Sequence, residues 1–324
     1  MEAQEHLRSV SHHHQGSILL QRGGKAFRES LGRHLQHTKE LQAFLYGMST
    51  VSFRKVPSTD GAQPVYQKSA KRIAVALRAV KSKSSIKDPR KDLLADLIQL
   101  HKDRPEFTET YLRRLAITNF GAGHETMCSA LTSIMAMIGS HAGTAQKIRE
   151  ELRFTTTDPP ISHDDALRLR YTQACIKEAQ RLHPVIGMSL SRRAPAEGIS
   201  VHGYYIPPGM TVGSNPVSLH RNSEIFGQDA NDYVPERWLG DNVEAARAMD
   251  RYNLTWGGGA RTCPGRHLAE MVLHKVVPAV VREFDVEVVT MPREDEVEYY
   301  FMAMLTGVRA RFIPIGDEKG ESRG

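Results

Sequence analysis

The most informative part of this sequence is the stretch Trp256-Gly257-Gly258-Gly259-Ala260-Arg261-Thr262-Cys263-Pro264-Gly265. It combines one cysteine with four glycines, and a helical pattern follows it directly. Glycine lets the backbone approach a large flat ligand, because it has no Cβ that would collide with it. The helix N-terminus after Cys263 favours negative charge on the sulfur. The stretch therefore predicts a thiolate ligand on a loop, although an incidental buried cysteine in a glycine-rich loop is the simpler interpretation of these residues alone.

The bulk composition describes an ordinary globular chain. Of its 324 residues 40% are hydrophobic and 25% are charged, which excludes a largely disordered protein. The net charge of +6 is spread along the chain, so it does not favour a nucleic-acid partner. Cys128, Cys175 and Cys263 form no CxxC pair, which indicates a reducing compartment without a disulfide framework. The sequence shows neither a signal peptide nor an apolar run that could span a bilayer.

A second unusual stretch lies inside a long predicted helix, residues 106–139. The helix is apolar on most of its faces, which is typical of a central helix. Its middle contains Gly121-Ala122-Gly123-His124-Glu125-Thr126, where two glycines cost about 2 kcal/mol relative to alanine. A local violation of this kind in a core helix indicates a functional site. Thr126 taken alone is more simply a hydroxyl bonded to its own helix.

The remaining periodicity predicts a mainly α fold with a small β portion. Further helices are expected at 93–100, 144–154, 171–183 and 268–284. Short strands are expected at 189–193, 199–202, 204–206, 211–213, 286–290 and 308–313. Residues 229–250 are expected to be irregular and polar. The pattern indicates one mostly helical domain.

Four motifs in this chain resemble the cytochrome P450 family, in the family's order. The haem loop Phe-x-x-Gly-x-Arg-x-Cys-x-Gly is matched with Trp256 in place of the phenylalanine, and Ala/Gly-Gly-x-Asp/Glu-Thr is matched at residues 122–126. Glu-x-x-Arg is matched by Glu178 and Arg181. Pro-Glu-Arg-Phe is matched at residues 235–238, with Trp238 in place of the phenylalanine.

The resemblance implies haem b, with Cys263 as the ligand of the iron. It places these residues around the cofactor: Trp256, Gly257, Gly259, Arg261, Gly265, Ala122, Gly123, and Arg193 at a propionate, with Arg192 as the less favoured alternative. Glu125 and Thr126 would be the catalytic pair that shuttles protons to O₂, beside a gap left by Gly123. Glu178, Arg181 and Arg237 would form a structural ion network. The substrate pocket would include Phe120, Ile186, Met188 and Met302.

The implied function is that of a haem-thiolate monooxygenase, an oxidoreductase that inserts one oxygen atom of O₂ into a lipophilic small molecule. The motif wording resembles members from fungal secondary metabolism. Electrons would come from NADPH through a separate NADPH-cytochrome P450 reductase, docked near Arg266 and Lys275, and the protein would be a monomer. The family implies the cytosolic face of the endoplasmic reticulum membrane, whereas the lack of an anchor in this sequence leaves a cytoplasmic location open.

The resemblance divides the chain into three parts. We expect a poorly defined N-terminal segment at 1–60, a partial P450 haem domain at 61–315 and a polar tail at 316–324, which makes a P450 fold that lacks much of its N-terminal part. Two alternatives remain open. One is a truncated, catalytically impaired haem-binding remnant. The other is an isomerase or dehydratase that needs no O₂, which the pair Glu125 and Thr126 disfavours.

Overall fold

A computed structural model describes residues 93–155, 160–240, 242–293, 296, 297, 299 and 301–316, together with 71, 73–75 and 78. These residues belong to two compact units, which divide between Thr126 and Met127. The predictions for residues 1–60 and for the tail after residue 316 lie outside the described residues. Within the described part, the expectation of a mainly helical fold with small sheets is confirmed.

The first unit contains α1 (Leu93–Asp103) and the N-terminal part of α2 (Glu109–Ser140). Thr108 begins α2, because its side-chain oxygen accepts a hydrogen bond of 3.2 Å from the backbone N–H of Tyr111. The core of this unit is a cluster of apolar side chains: Ile73, Leu97, Ile98, Phe107 and Leu112. The long predicted helix is confirmed, and it continues through both glycines without interruption.

The second unit begins with the C-terminal part of α2 and is built mainly from helices. The next are α3 (Thr144–Thr155), α4 (His163–Arg168) and α5 (Arg170–Leu182). The last is α9 (Arg266–Glu283), which packs against all three and buries a valine-rich face of Val272, Val276, Val277, Val280 and Val281. None of the helices in the described residues combines the length and hydropathy that a membrane span requires.

Three antiparallel strand pairs complete the second unit. β1 (Leu190–Arg193) pairs with β4 (Thr211–Ser214), and between them lies a hairpin of β2 (Ile199–Val201) and β3 (Tyr204–Ile206). The hairpin turn consists of His202 and Gly203, both at positive φ (47° and 83°), as a two-residue turn requires. β5 (Phe284–Thr290) pairs with β6 (Arg309–Pro314). All six strands agree with the sequence predictions to within two residues.

The expectation of an irregular segment at 229–250 was wrong. It contains a 3₁₀ helix, Pro235–Trp238, and α8 (Val243–Tyr252); the short helices α6 (Pro216–Leu219) and α7 (Ser223–Phe226) precede it. The side chain of Asn242 begins α8 by accepting a bond of 3.0 Å from the N–H of Ala245. Most of α8 is exposed and Met249 packs on a small cluster; the apolar residues of the helix are largely alanines, so the segment is polar on average.

Candidate active site

The cysteine loop, residues 254–265, is closed by backbone bonds. The N–H of Cys263 donates to the carbonyl of Trp256 at 2.8 Å, and the N–H of Gly257 donates to that of Leu254 at 2.9 Å. Gly257 and Gly259 take positive φ (74° and 60°), a conformation that residues with a Cβ rarely adopt. Cys263 is exposed and stands three residues before the 18-residue helix α9. The loop therefore presents an exposed thiol just before the N-terminus of a helix.

The surface around this thiol fits a flat iron cofactor. A Cβ added at Gly265 would lie 3.9 Å from the Cys263 sulfur, so the glycine leaves that side of the sulfur uncovered. A Cβ at Gly259 would meet nothing within 4 Å, and the side chain of Leu268 is 64% exposed. An open, glycine-lined face with one sulfur ligand is the donor set that haem requires when a thiolate binds its iron. Within the residues described, no group of three or more His, Cys, Asp or Glu is arranged to hold a metal ion.

Arg192, rather than Arg193, contacts the cysteine loop. Its guanidinium donates to the carbonyl of Gly258 at 3.2 Å. Both residues line an open cleft of about 610 Å³, together with residues of the strand pairs β1–β4 and β2–β3. Successive side chains of a strand point to opposite faces, so Arg193 points away from the face that Arg192 and its strand partner Val212 share. Arg193 is exposed. The resemblance placed Arg193 at a haem propionate, and that role stays a prediction; the contact of Arg192 with the loop depends on which strand face is turned toward the loop, which the sequence does not show.

Behind the loop lies a buried ion cluster, in which Glu178 accepts five hydrogen bonds. Arg181 donates to both carboxylate oxygens at 2.8 Å, and Arg237 donates to one of them at 2.8 Å. The backbone N–H of Val234 (3.0 Å) and the indole N–H of Trp238 (2.9 Å) complete the set. Glu178 and Arg181 are fully buried. The structure thus brings the three predicted members together and adds Trp238 as a fourth.

The two arginines of this cluster also hold the surrounding backbone. Arg181 donates to the carbonyls of His220 (2.6 Å), Ala230 (2.5 Å) and Asp232 (3.0 Å). Arg237 donates to the carbonyls of Phe226 (2.5 Å) and Asp229 (3.0 Å). Burial is the largest single influence on Arg237 and opposes its charge, but the hydrogen bonds and negative charges of Glu178 and Asp229 together outweigh burial and raise the pKa of Arg237 above the ordinary value. The cluster therefore fixes the segment 220–238 against α5.

His220 connects this cluster to the cysteine loop. Its Nδ1 lies 2.9 Å from the carbonyl oxygen of Arg181, and the backbone N–H of Leu254 donates to its Nε2 at 2.7 Å. The side chain is fully buried. Burial lowers the pKa of His220 to about 4, so the imidazole is neutral at pH 7. Sequence inspection missed this residue, because a lone histidine after a short helix carries no signal.

The helical segment that was predicted to activate oxygen, residues 122–126, lies in the first unit. The hydroxyl of Thr126 donates to the carbonyl of Ala122 at 2.7 Å, the back-bond expected of a helical threonine. Glu125 is exposed. A Cβ added at Gly123 would meet nothing within 4 Å, so the space there is open although the helix itself has no gap. Phe120 is 40% exposed and stacks on the His124 ring.

The substrate stretches predicted in the second unit lie side by side. Ile186 and Met302 form an isolated antiparallel bridge. The N–H of Ala303 donates to the carbonyl of Val185 at 2.8 Å, and the hydroxyl of Ser129 in α2 donates to the carbonyl of Ala303 at 2.6 Å. Met188, two residues after Ile186 in the chain, is 48% exposed. Two segments more than a hundred residues apart in the chain thus meet through backbone hydrogen bonds.

The sequence of the chain is similar to those of known proteins. A family model for cytochrome P450 matches residues 33–307. The chain is 64% identical over 274 residues to the cytochrome P450 monooxygenase sdnT of Sordaria araneosa, covering 78% of this chain and 49% of the relative. It is 35% identical to a pisatin demethylase of Fusarium vanettenii, covering 61% and 38%. It is 30% identical to the cytochrome P450 monooxygenase ACRTS1 of Alternaria alternata, covering 75% and 64%. The chain spans about half the length of the first of these relatives.

Proposed function

This chain belongs to the cytochrome P450 family, and on that basis we propose that it acts as a haem-thiolate monooxygenase. The reaction inserts one oxygen atom of O₂ into a lipophilic small molecule. The observation that carries the proposal is the exposed thiol of Cys263 at the start of α9, on a glycine loop that is bonded to a buried ion cluster. Haem bound by a thiolate supplies the electron density that favours O–O cleavage.

Different residues of the chain would bind the cofactor, leave space for it and support the loop that holds it. Cys263 would bind the iron as a thiolate, while Gly257, Gly259 and Gly265 keep the approach to it open. The cationic side chains of Arg192 and Arg261, both exposed beside the loop, suit the carboxylates of haem. Glu178, Arg181 and Arg237 hold the loop from behind and take no part in the chemistry.

Proton supply is proposed for Glu125 and Thr126. The exposed carboxylate of Glu125 can exchange protons with solvent. The hydroxyl oxygen of Thr126 has spare acceptor capacity, because it uses its proton toward Ala122. A proton taken from water at the Glu125 carboxylate would pass to the Thr126 oxygen as that hydroxyl gives its own proton to the oxygen that the electrons from NADPH reduce. This order requires the bond to Ala122 to open during turnover.

The substrate and the electron source are proposals as well. Ile186, Met188 and Met302 are apolar and suit a lipophilic substrate. Phe120, which the resemblance also assigns to the substrate, is a half-exposed apolar side chain of the first unit. The fungal relatives support a role in fungal secondary metabolism. Electrons would come from NADPH through a separate NADPH-cytochrome P450 reductase at the cytosolic face of the endoplasmic reticulum, to a monomer whose haem domain is taken as residues 61–315.

The predicted docking surface for that reductase, near Arg266 and Lys275, does not form one patch on α9. Arg266 and Lys275 stand nine residues apart on α9, which at 100° per residue places them on opposite sides of the helix. Arg266 is exposed and paired with Glu270, whereas Lys275 is partly buried. The proposed docking surface is therefore limited to the Arg266 end of α9.

The test is the difference spectrum of the reduced, CO-treated protein. We expect the purified full chain to take up haem and to show the Soret band of a thiolate-bound iron. Cys263→Ser should lose that band, whereas Cys128→Ser, which removes a thiol from α2, should keep it. A chain that takes up no haem, or a Cys263→Ser variant with an unchanged band, would overturn the proposal. A thiolate band without product formation in the presence of NADPH and reductase would instead favour a haem binder that does not catalyse.

A further inference from the structure

The contacts of His220 determine where its proton lies. A carbonyl oxygen can only accept, so the Nδ1 atom facing Arg181 must carry the hydrogen. A backbone N–H can only donate, so the Nε2 atom facing Leu254 must be unprotonated. Both ring nitrogens are therefore used, and only the neutral imidazole with hydrogen on Nδ1 can make both bonds.

This imidazole lies between the ion cluster and the first residue of the cysteine loop. Leu254 accepts from the N–H of Gly257 at 2.9 Å, and two residues after Leu254 the carbonyl of Trp256 accepts from the N–H of Cys263. A displacement of Leu254 is thus transmitted to Cys263 through two backbone hydrogen bonds. The side chain of His220 connects the buried ion cluster to these hydrogen bonds, because it contacts both Arg181 and Leu254.

The charges around His220 oppose a second proton on its ring. Arg181 on α5 donates to the backbone carbonyl of His220, and Arg221 follows it in the chain; both cations disfavour an imidazolium. The carboxylate of Glu178 on α5 is bonded to both Arg181 and Arg237. From α7 the uncharged ring of Phe226 contacts the imidazole edge-on, with centroids 6.2 Å apart. An imidazolium would also turn an N–H toward the Leu254 N–H.

We propose that His220 is a positioning residue that fixes the cysteine loop on the buried ion cluster, and that protonation of its Nε2 releases the loop. The bridge from Arg181 through His220 to Leu254 follows from the two contacts of His220. The effect of this bridge on Cys263 as a haem ligand rests on the proposed function. A loop released at Leu254 would hold the Cys263 sulfur less firmly at the start of α9.

Two isosteric variants separate the two bonds. The amide nitrogen of His220→Asn can replace Nδ1 and keep the bond to Arg181, but it has no acceptor near Leu254. The amide oxygen of His220→Gln can replace Nε2 and keep the bond from Leu254, and it does not titrate. Hydrogen exchange is measured on the full chain without haem. We expect the Leu254 amide and the segment to Cys263 to exchange about tenfold faster, or more, in His220→Asn, since the lost bond leaves a buried donor unpaired. In His220→Gln we expect exchange within about threefold of that in the parent chain.

If His220→Asn fails to fold, the pH dependence of hydrogen exchange in the parent chain still tests the proposal. Exchange of the Leu254 amide, corrected for its intrinsic pH dependence, should accelerate in the parent chain as the pH falls toward the pKa of His220, about 4. The acceleration should disappear in His220→Gln. It should persist in His183→Gln, where the removed histidine has its pKa lowered similarly, also to about 4, but makes no bond to the loop.

Three results would overturn the proposal: equal exchange at Leu254 in the Asn and Gln variants, acid acceleration that survives in His220→Gln, or acceleration that is lost equally in His183→Gln. The haem arm is read separately. If the parent chain binds haem, His220→Asn should lower the thiolate-bound fraction at pH 7 and His220→Gln should not; equal fractions would contradict the positioning role. If the parent chain takes up no haem, the proposed function fails, while the exchange data still decide whether the bridge exists.

Discussion

Replacing Glu178 by glutamine tests the central claim about the ion cluster. The variant keeps the shape of the side chain but removes the one carboxylate that Arg181 and Arg237 share. It also turns an NH₂ group toward donors on Arg181, Arg237, Val234 or Trp238. Two buried guanidinium groups are left without their common counter-ion.

The size of the effect follows from burial. Arg181 and Glu178 are 0% exposed and Arg237 is 7% exposed at the side chain, so solvent cannot compensate for the lost charge. Breaking a buried pair by removing one partner costs about 3–5 kcal/mol. A domain of typical stability has about 5–15 kcal/mol in total. At about 2–4 °C per kcal/mol, the expected fall in Tm is roughly 6–20 °C.

A matched control lies on the neighbouring 3₁₀ helix. Glu236 pairs with Lys147 at 2.7 Å, but both side chains are about half exposed (49% and 57%). A surface pair of this kind contributes about 0–1 kcal/mol, so Glu236→Gln should shift Tm by about 0–4 °C. Thermal melts followed by circular dichroism, together with urea titrations, measure both variants. If Glu178→Gln loses no more stability than Glu236→Gln, the cluster does not hold the loop in the way described.

Two further predictions concern acid stability and electron delivery. Burial lowers the pKa of His220 and of His183 from 6.5 to about 4, so between these pH values the unfolded chain binds more protons than the folded one. Stability should be complete above pH 6.5 and decrease toward pH 4, by up to about 3 kcal/mol for His220 and less for the partly exposed His183; urea midpoints that do not change from pH 7 to 4.5 would contradict this. Arg266→Glu should slow reduction of the loaded protein by the reductase at low salt, and the difference should shrink at high salt. Arg311→Glu, which also removes a glutamate-paired surface arginine, is the control and should reduce at the parental rate; equal slowing in both would contradict docking at α9.

Local patterns in the sequence determined most of the helices, the strands and the chemistry of the candidate ligand. Glycine spacing around Cys263, helical periodicity over α2 and α9, and the i, i+3 spacing of Glu178 and Arg181 are all properties of neighbouring residues, so they are visible without a structure. The helix α8 was missed because its apolar stripe consists largely of alanines within a segment that is polar on average, and because its start depends on the Asn242 cap.

Only the tertiary structure decided which residues meet across the chain. It showed that Trp238 donates to Glu178, that Arg192 rather than Arg193 faces the cysteine loop, and that His220 joins Arg181 to Leu254. These contacts join residues 34 to 66 positions apart or depend on which face of a strand is turned inward, and no local pattern encodes either property. The ligand role proposed for Cys263 is therefore a prediction from the ten residues 256–265 alone, whereas the way the cysteine loop is held in place depends on the packing of segments far from it in sequence.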